Sequence, residues 1–300
     1  MAVVKRYWVT FVDKLLVIGA SGLLGSKAME IGALKYESYG TYTKNSRPGL
    51  TQLDVTDRSS VFELLENLKP DLILDAHGLN NVDYGESHRE EVWTVNVNGS
   101  KNVAEACQKI GAKYMFISSD YVFSGKKRLY TENDRPDPVN YLGKSKWALE
   151  SILEILDIDY IVARTSGLYG KGSSTGKKSF VQFIVENLRK GIKTDVISDQ
   201  YSSPTLVDDV ANSLFALSEL NQSGIFHIVG KDCLTKYDFA RYICKEFELD
   251  SSLISPCSTA SLSQAAKRPE KVRMSTRKLK KITLNTPVGV KEGLQIINRR

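Results

Sequence analysis

One run of the sequence, Leu15-Leu16-Val17-Ile18-Gly19-Ala20-Ser21-Gly22-Leu23-Leu24-Gly25, constrains the fold more than any other. A short aliphatic run of this kind suits a parallel strand buried on both faces. Glycines at three-residue spacing then lead into an amphipathic stretch. Gly19 turns the chain off the strand, Gly22 lets backbone N–H groups approach a bound group, and Gly25 lets helix and strand pack closely. Such a strand-turn-helix gathers unsatisfied N–H groups and the positive end of a helix dipole at one point, which favours a phosphate. The spacing G-x-x-G-x-x-G differs from the general dinucleotide fingerprint. Its setting, after an aliphatic strand and before a helix, predicts a dinucleotide site lined by Gly19, Ser21, Gly22, Leu23 and Leu24.

The rest of the first half repeats that rhythm. A helix is expected from Lys27 to Leu34 and a strand from Tyr36 to Tyr42. An acidic residue at the end of that strand would hold the ribose of NAD. The chain has Thr43-Lys44-Asn45-Ser46-Arg47 instead, and its cations suit a ribose 2′-phosphate, so NADP is expected over NAD. Leu53-Asp54-Val55-Thr56-Asp57 ends a short strand and caps a helix from about Ser59 to Leu68. Strands are expected at Asp71–Asp75, Tyr114–Ser118 and Tyr160–Arg164, with helices at Val92–Ile110 and Lys144–Leu156. Strands alternating with helices predict an α/β fold of the Rossmann type, a doubly wound parallel sheet covered on both faces.

Beyond Arg164 the pattern loosens. Lys171–Lys178 reads as a loop, and Ser179–Lys190 and Lys236–Phe247 as helices. Thr205-Leu206-Val207-Asp208 reads as a capping box for a helix through Glu219, and Ile225–Val229 as a strand. The expected organisation is an N-terminal extension (1–13), a nucleotide-binding domain (14–165, rejoined by 205–230) and a smaller substrate-binding lobe (166–204 and 231–300). Four widely spaced cysteines make neither a zinc site nor a disulfide framework, and no apolar run approaches a membrane span, so a cytoplasmic protein is expected. The net charge of +6 is mild and thickens around Lys267, Arg268, Lys271, Arg273 and Arg277–Lys281, which suits a solvated basic face or a site for a phosphorylated small molecule, with no nucleic-acid role expected. His77, in Ala76-His77-Gly78 at a strand's carboxyl end, reads as a cofactor-lining residue with no histidine or acid near enough in sequence to make it a base or metal ligand.

These motifs, together with Asn81-Val82-Asp83-Tyr84-Gly85-Glu86, Val95-Asn96, Ser118-Ser119-Asp120-Tyr121-Val122-Phe123, Gly143-Lys144-Ser145-Lys146, Arg164-Thr165-Ser166, Asp199–Thr205 and Lys267-Arg268-Pro269, run through nearly the whole chain from Leu15. The chain resembles the extended short-chain dehydrogenases/reductases, and within them the dTDP-4-dehydrorhamnose reductase family. A sister group is the regulatory β subunit of methionine adenosyltransferase. The resemblance implies reduction of a ketone on a nucleotide-linked sugar by NADPH, with a homodimer as the possible assembly. It implies that Asp54, Val55, Ala76, His77, Gly78, Asn96 and Lys146 join the cofactor site. It implies that Ser119 holds the carbonyl, that a tyrosine gives the proton, that Lys146 lowers that tyrosine's pKa, and that Asp120, Tyr121 and Arg268 meet the substrate.

One motif departs from the family. Its Tyr-Gly-x-Ser/Thr-Lys reads here Tyr141-Leu142-Gly143-Lys144-Ser145-Lys146, so alignment on Gly143 and Lys146 puts Leu142 at the tyrosine position. Tyr141 lies five residues before Lys146, about 140° away around a regular helix. It takes the catalytic role if the helix starts late or the backbone slips by one residue. Otherwise Tyr121 or water gives the proton, or the chain is no reductase but a nucleotide-binding regulatory subunit that docks on a partner enzyme.

Overall fold

A computed structural model describes residues 13–171, 178–284 and 286–299. Nearly all of the expected N-terminal extension and most of the 171–178 loop lie outside the described residues. A seven-stranded parallel sheet forms the centre. It is built from β1 (Lys14–Ile18), β2 (Glu37–Tyr42), β3 (Leu50–Gln52), β4 (Leu72–Asp75), β5 (Lys113–Ser119), β6 (Tyr160–Thr165) and a last strand at Gly224–His227. Their order is Gly224–His227, β6, β5, β4, β1, β2, β3. The chain winds outward one way from β1 and then returns to wind the other way, so a crevice opens at the carboxyl ends of β1 and β4.

The aliphatic strands alternate between two cores, as a period of two demands. Leu15 and Val17 of β1 pack under α1 (Leu23–Gly32) and the helix Val207–Glu219. Leu16 and Ile18 face the opposite layer, where α2 (Arg58–Leu68), α5 (Ser100–Ile110) and α6 (Tyr141–Ile155) bury Val61, Val103 and Leu149. Two short helices, α3 (Val82–Ser87) and α4 (Arg89–Trp93), precede α5. A separate core of Tyr169, Val181, Ile184, Phe239, Ile243 and Leu294 holds the later helices together.

Several local expectations need correction. The helix expected over Val92–Ile110 is instead α4, a π-helical turn at Thr94–Gly99 and α5. Thr205 opens no capping box, because its hydroxyl bonds the Ser203 carbonyl at 2.8 Å and accepts the Gly230 N–H at 3.1 Å. Thr205 and Leu206 pair instead with Leu168 and Tyr169 as a short parallel ladder, and the helix starts at Val207 with no side-chain cap. Helix α1 starts at Leu23, earlier than Lys27, since nothing after Gly22 opposes helix formation.

Helix α6 is tied to the sheet by a buried charge cluster. The Glu150 carboxylate accepts hydrogen bonds from Arg164 Nη2 at 2.7 Å, Arg164 Nε at 3.1 Å and Ser118 Oγ at 2.5 Å. Both charged side chains are at most 2% exposed. Removing one partner strands the other charge in a medium that cannot solvate it. Glu150→Ala should therefore lower the unfolding free energy by about 3–5 kcal/mol. Urea unfolding of the wild type and the variant checks this, and a loss below about 1 kcal/mol would contradict it.

Candidate active site

The crevice is built from strand ends and the turns that leave them. Gly19 has φ +78°, and a Cβ on Gly25 would lie 2.3 Å from the Gly19 carbonyl oxygen. Turn and helix are thus folded onto each other as the sequence predicts. Gly22 is the N-cap of α1, and no side chain caps that helix. Leu23 and Leu24 thus open the helix without a side-chain cap, an arrangement that suits an anion. Beside it, Ala20 donates its N–H to the Thr41 carbonyl at 2.8 Å, which places the glycine turn against the end of β2. Lys44 and Ser46 follow that strand end and are exposed, while Arg47 is half-buried.

On the other side of the turn is His77, whose Cα would be 2.9 Å from a Cβ on Gly19. Its Nδ1 is bonded to the Asp75 carboxylate, and its Nε2 faces the Val95 carbonyl at 3.1 Å. Both ring nitrogens face acceptors, so the ring carries both protons. Burial opposes charge on either group, but the pair's attraction prevails: Asp75 is held below the usual carboxylate range and His77 is raised above the usual imidazole range. The expectation that no acid stands near His77 is thus corrected. Asp75, the last residue of β4, is two residues earlier, and the loop that follows turns the His77 ring back onto its carboxylate.

Asn96, in the π-helical turn, accepts the Leu79 N–H at 2.8 Å and donates to the Leu79 carbonyl at 3.1 Å. It thereby fixes the loop that carries Ala76 and Gly78. Val55 is buried and packs on Gly99, with its carbonyl bonded to Asn102 Nδ2 at 3.0 Å. Asp54 caps its own turn through the Thr56 N–H at 2.9 Å.

Helix α6 carries Lys146 across the end of β5. A Cβ on Gly143 would lie 2.1 Å from the Tyr121 carbonyl oxygen, so only glycine allows this approach. Lys146 is 4% exposed, and its ammonium donates to the Ile117 carbonyl at 2.9 Å. Burial lowers its pKa to about 8, with Asp75 and Glu150 opposing the shift. Ser119, two residues beyond Ile117, accepts the Tyr121 N–H at 3.2 Å and is 2.9 Å from Asp120 Oδ1. Asp120 Oδ2 accepts the Ser166 hydroxyl at 2.5 Å.

Helix α6 begins at Tyr141 and so starts early, not late. The Tyr141 ring lies beside Arg89 and 6.5 Å from the Trp93 ring, on the α4 side. Leu142 instead packs with Val82, Ala266 and Tyr121. Tyr121 is pushed up to about 12 by burial and by Asp120, while Arg268 pulls the other way and hydrogen-bonds it. Arg268, far along the chain, reaches the same corner and makes two bonds to Asp83, at 3.0 and 2.5 Å. The sequence motifs did not mark Glu150 or Asp75, the two buried acids behind Lys146.

A family model described as the RmlD substrate binding domain matches residues 13–299. The chain belongs to that family. Among its relatives, a probable low-salt glycan biosynthesis reductase of Haloferax volcanii is 31% identical over 85% of this chain and 87% of its own length. The methionine adenosyltransferase 2 subunit beta of Rattus norvegicus is also 31% identical, over 94% of this chain and 87% of its own. A dTDP-4-dehydrorhamnose reductase of Bacillus anthracis, solved in complex with NADP, superposes with a TM-score of 0.88 at 29% identity, covering 96% of this chain and 99% of that one. Membership of the RmlD family accounts for the seven-stranded Rossmann-like sheet. Among the described residues no group of His, Cys, Asp and Glu could hold a metal ion, and no helix is long and apolar enough to cross a membrane.

The buried Lys146 has a measurable signature. Burial costs the ammonium, so the folded chain releases that proton at a lower pH than the unfolded chain does. Stability therefore rises with pH from about 8 towards the ordinary lysine range, by about 1.4 kcal/mol per pH unit for one proton. Urea unfolding between about pH 7 and pH 10 should show the wild type gaining on Lys146→Met. Parallel curves would contradict this assignment.

Proposed function

We propose that this protein is an NADP-dependent reductase of a nucleotide-linked 4-keto-6-deoxy sugar, with dTDP-4-dehydrorhamnose as the default substrate. The observation that carries this reading is the seating of Lys146 on the Ile117 carbonyl, beside Ser119 and at the open end of β5. A lysine serving only the fold has no reason to lose so much hydration at the rim of a crevice. The residues present fit the dinucleotide: an uncapped helix start for the pyrophosphate, Lys44, Ser46 and Arg47 for a 2′-phosphate, and His77 and Asn96 to hold the loop beneath it. Bound there, NADPH supplies the two electrons and one hydrogen that turn a ketone into an alcohol.

The chain's own residues do the rest. Ser119 aims a hydroxyl at the carbonyl oxygen, and Lys146 donates towards the nicotinamide ribose while keeping positive charge near the developing alkoxide. Arg268 and Lys267 serve the sugar diphosphate in this reading. Arg268 then exchanges Asp83 for phosphate oxygens, a change favoured by the greater charge of the diphosphate. Four free cysteines suit a cytoplasmic setting.

A second reading rests on Leu142. A hydrocarbon at the tyrosine position suits an NADP-binding regulatory subunit, as the resemblance to the methionine adenosyltransferase β subunit suggests. Following NADPH absorbance with purified protein and a dTDP-4-keto-6-deoxy sugar decides between them. Turnover supports the reductase, and tight NADPH binding without turnover supports the regulatory subunit. In the same titrations NADP should bind more tightly than NAD, and Arg47→Ala should weaken NADP by about 1.5–3 kcal/mol for the lost charged hydrogen bond. Equal affinity for the two dinucleotides in the wild type would overturn the cofactor assignment.

A further inference from the structure

A reductase of this design has to protonate the oxygen of its substrate, and the side chain four residues before Lys146 is a leucine. The crevice itself holds another acid. Asp120 follows β5 next to Ser119, is 8% exposed, and has no cationic partner among the described residues. The Tyr121 phenol and the Cys233 thiol each feel the charge of an ionised Asp120, and neither offers it a cation. The nearby cation Arg268 is engaged by Asp83, Tyr121 and the Ala266 carbonyl. An ionised carboxylate taken from water without a counter-charge is costly, and it avoids that cost by keeping its proton.

The hydrogen bonds admit that proton at one oxygen. Asp120 Oδ2 already accepts the Ser166 hydroxyl, whose oxygen accepts the Ser203 N–H at 3.2 Å. Oδ1 lies 2.9 Å from Ser119 Oγ. With its carboxyl ionised, Asp120 accepts the Ser119 hydroxyl at Oδ1; a proton on Oδ1 reverses that bond and is donated to Ser119 Oγ, which also accepts the Tyr121 N–H. Both lone pairs of that hydroxyl are then filled, and its own hydrogen is left to point into the crevice. Burial raises the Asp120 pKa, against the pull of its hydrogen bonds from Ser166 and Ser119.

We propose that Asp120, acting through Ser119, supplies the proton to the substrate's carbonyl oxygen in place of a tyrosine. This rests on the reductase reading above, with the reduced nicotinamide dinucleotide as reductant. As hydrogen adds to the carbonyl carbon, the C=O π pair passes to oxygen. That oxygen takes the Ser119 hydroxyl proton, and Ser119 Oγ takes the Asp120 Oδ1 proton in turn. Asp120 is left as a carboxylate and is reprotonated from water after the alcohol leaves. Ser119 touches the substrate, and Asp120 is the positioning and proton-holding residue behind it.

The test pairs a spectroscopic readout with kinetics. Infrared spectra of the protein without cofactor, at pH values where ordinary aspartates are ionised, should show a protonated-carboxyl band that is absent in Asp120→Asn. With NADPH and a dTDP-4-keto-6-deoxy sugar, kcat should fall roughly 10²–10⁴-fold in Asp120→Asn, with KM changed far less. The wild-type rate should decline as the pH rises through the titration of that band, and this decline should vanish in the variant, leaving the one that Lys146 sets near pH 8. Asp120→Glu should restore part of the rate. Ser119→Ala keeps the Asp120–Ser166 bond, and should cost no less than the Asp120→Asn/Ser119→Ala double variant, because the two act as one path. An absent band, survival in Asp120→Asn of the decline that tracks that band, additive losses, or loss of all turnover in Tyr141→Phe would each overturn the proposal. A wild type that binds NADPH but turns over no 4-keto sugar would overturn the reductase reading itself, whatever the infrared band shows.

Discussion

Helix α6 meets the carboxyl end of β5 at Gly143, where any side chain would collide with the Tyr121 carbonyl. The rest of the crevice depends on that contact. Gly143, Lys146 and Glu150 stand at i, i+3 and i+7, on one face of the helix. With the first of them against the strand end, the second reaches the Ile117 carbonyl and the third reaches Ser118 and Arg164. One close backbone approach therefore sets the positions of an ammonium and a carboxylate that would otherwise be free in water.

The buried polar groups then form two sets with different consequences. Asp75 with His77, and Glu150 with Arg164, are opposite charges in contact, and each partner replaces water that the other has lost. Among the described residues Lys146, which feels both Asp75 and Glu150, has a carbonyl as its hydrogen-bond partner, and Asp120 has hydroxyls and backbone N–H groups. Burial moves the pKa of each towards the neutral form, down for the amine and up for the acid. Groups shifted in that way at the mouth of a cleft are the ones able to exchange protons near neutral pH.

Much of this was legible in the sequence because the signals are local. The aliphatic strands, the glycine turn and the Lys146 motif each lie within a few residues, and the parallel sheet followed from their alternation. The capping box at Thr205 was misread because the same residue types serve a tertiary ladder with Leu168 and Tyr169, invisible without the fold. The pairing of Asp83 with Arg268 joins residues 185 apart, and no periodicity signals it. Asp75 and His77 were within reach, since they are only two residues apart at the end of β4. The position of Tyr141 turned on where one helix begins. That start is set by Asn140, whose side chain accepts the Gly143 N–H at 2.8 Å and whose amide holds the Lys267 carbonyl at 3.1 Å.

The central claim is that reduction takes place where β1, β4 and β5 end under α6. Stereospecifically deuterated NADPH, labelled at the nicotinamide C4 on one face and then on the other, tests it most directly with proton NMR of the sugar product. A rigid crevice that presents one face of the ring predicts deuterium at the sugar C4 from one labelled form and none from the other. Sugar recovered unreduced and unlabelled from both, with the cofactor still bound, would contradict the account.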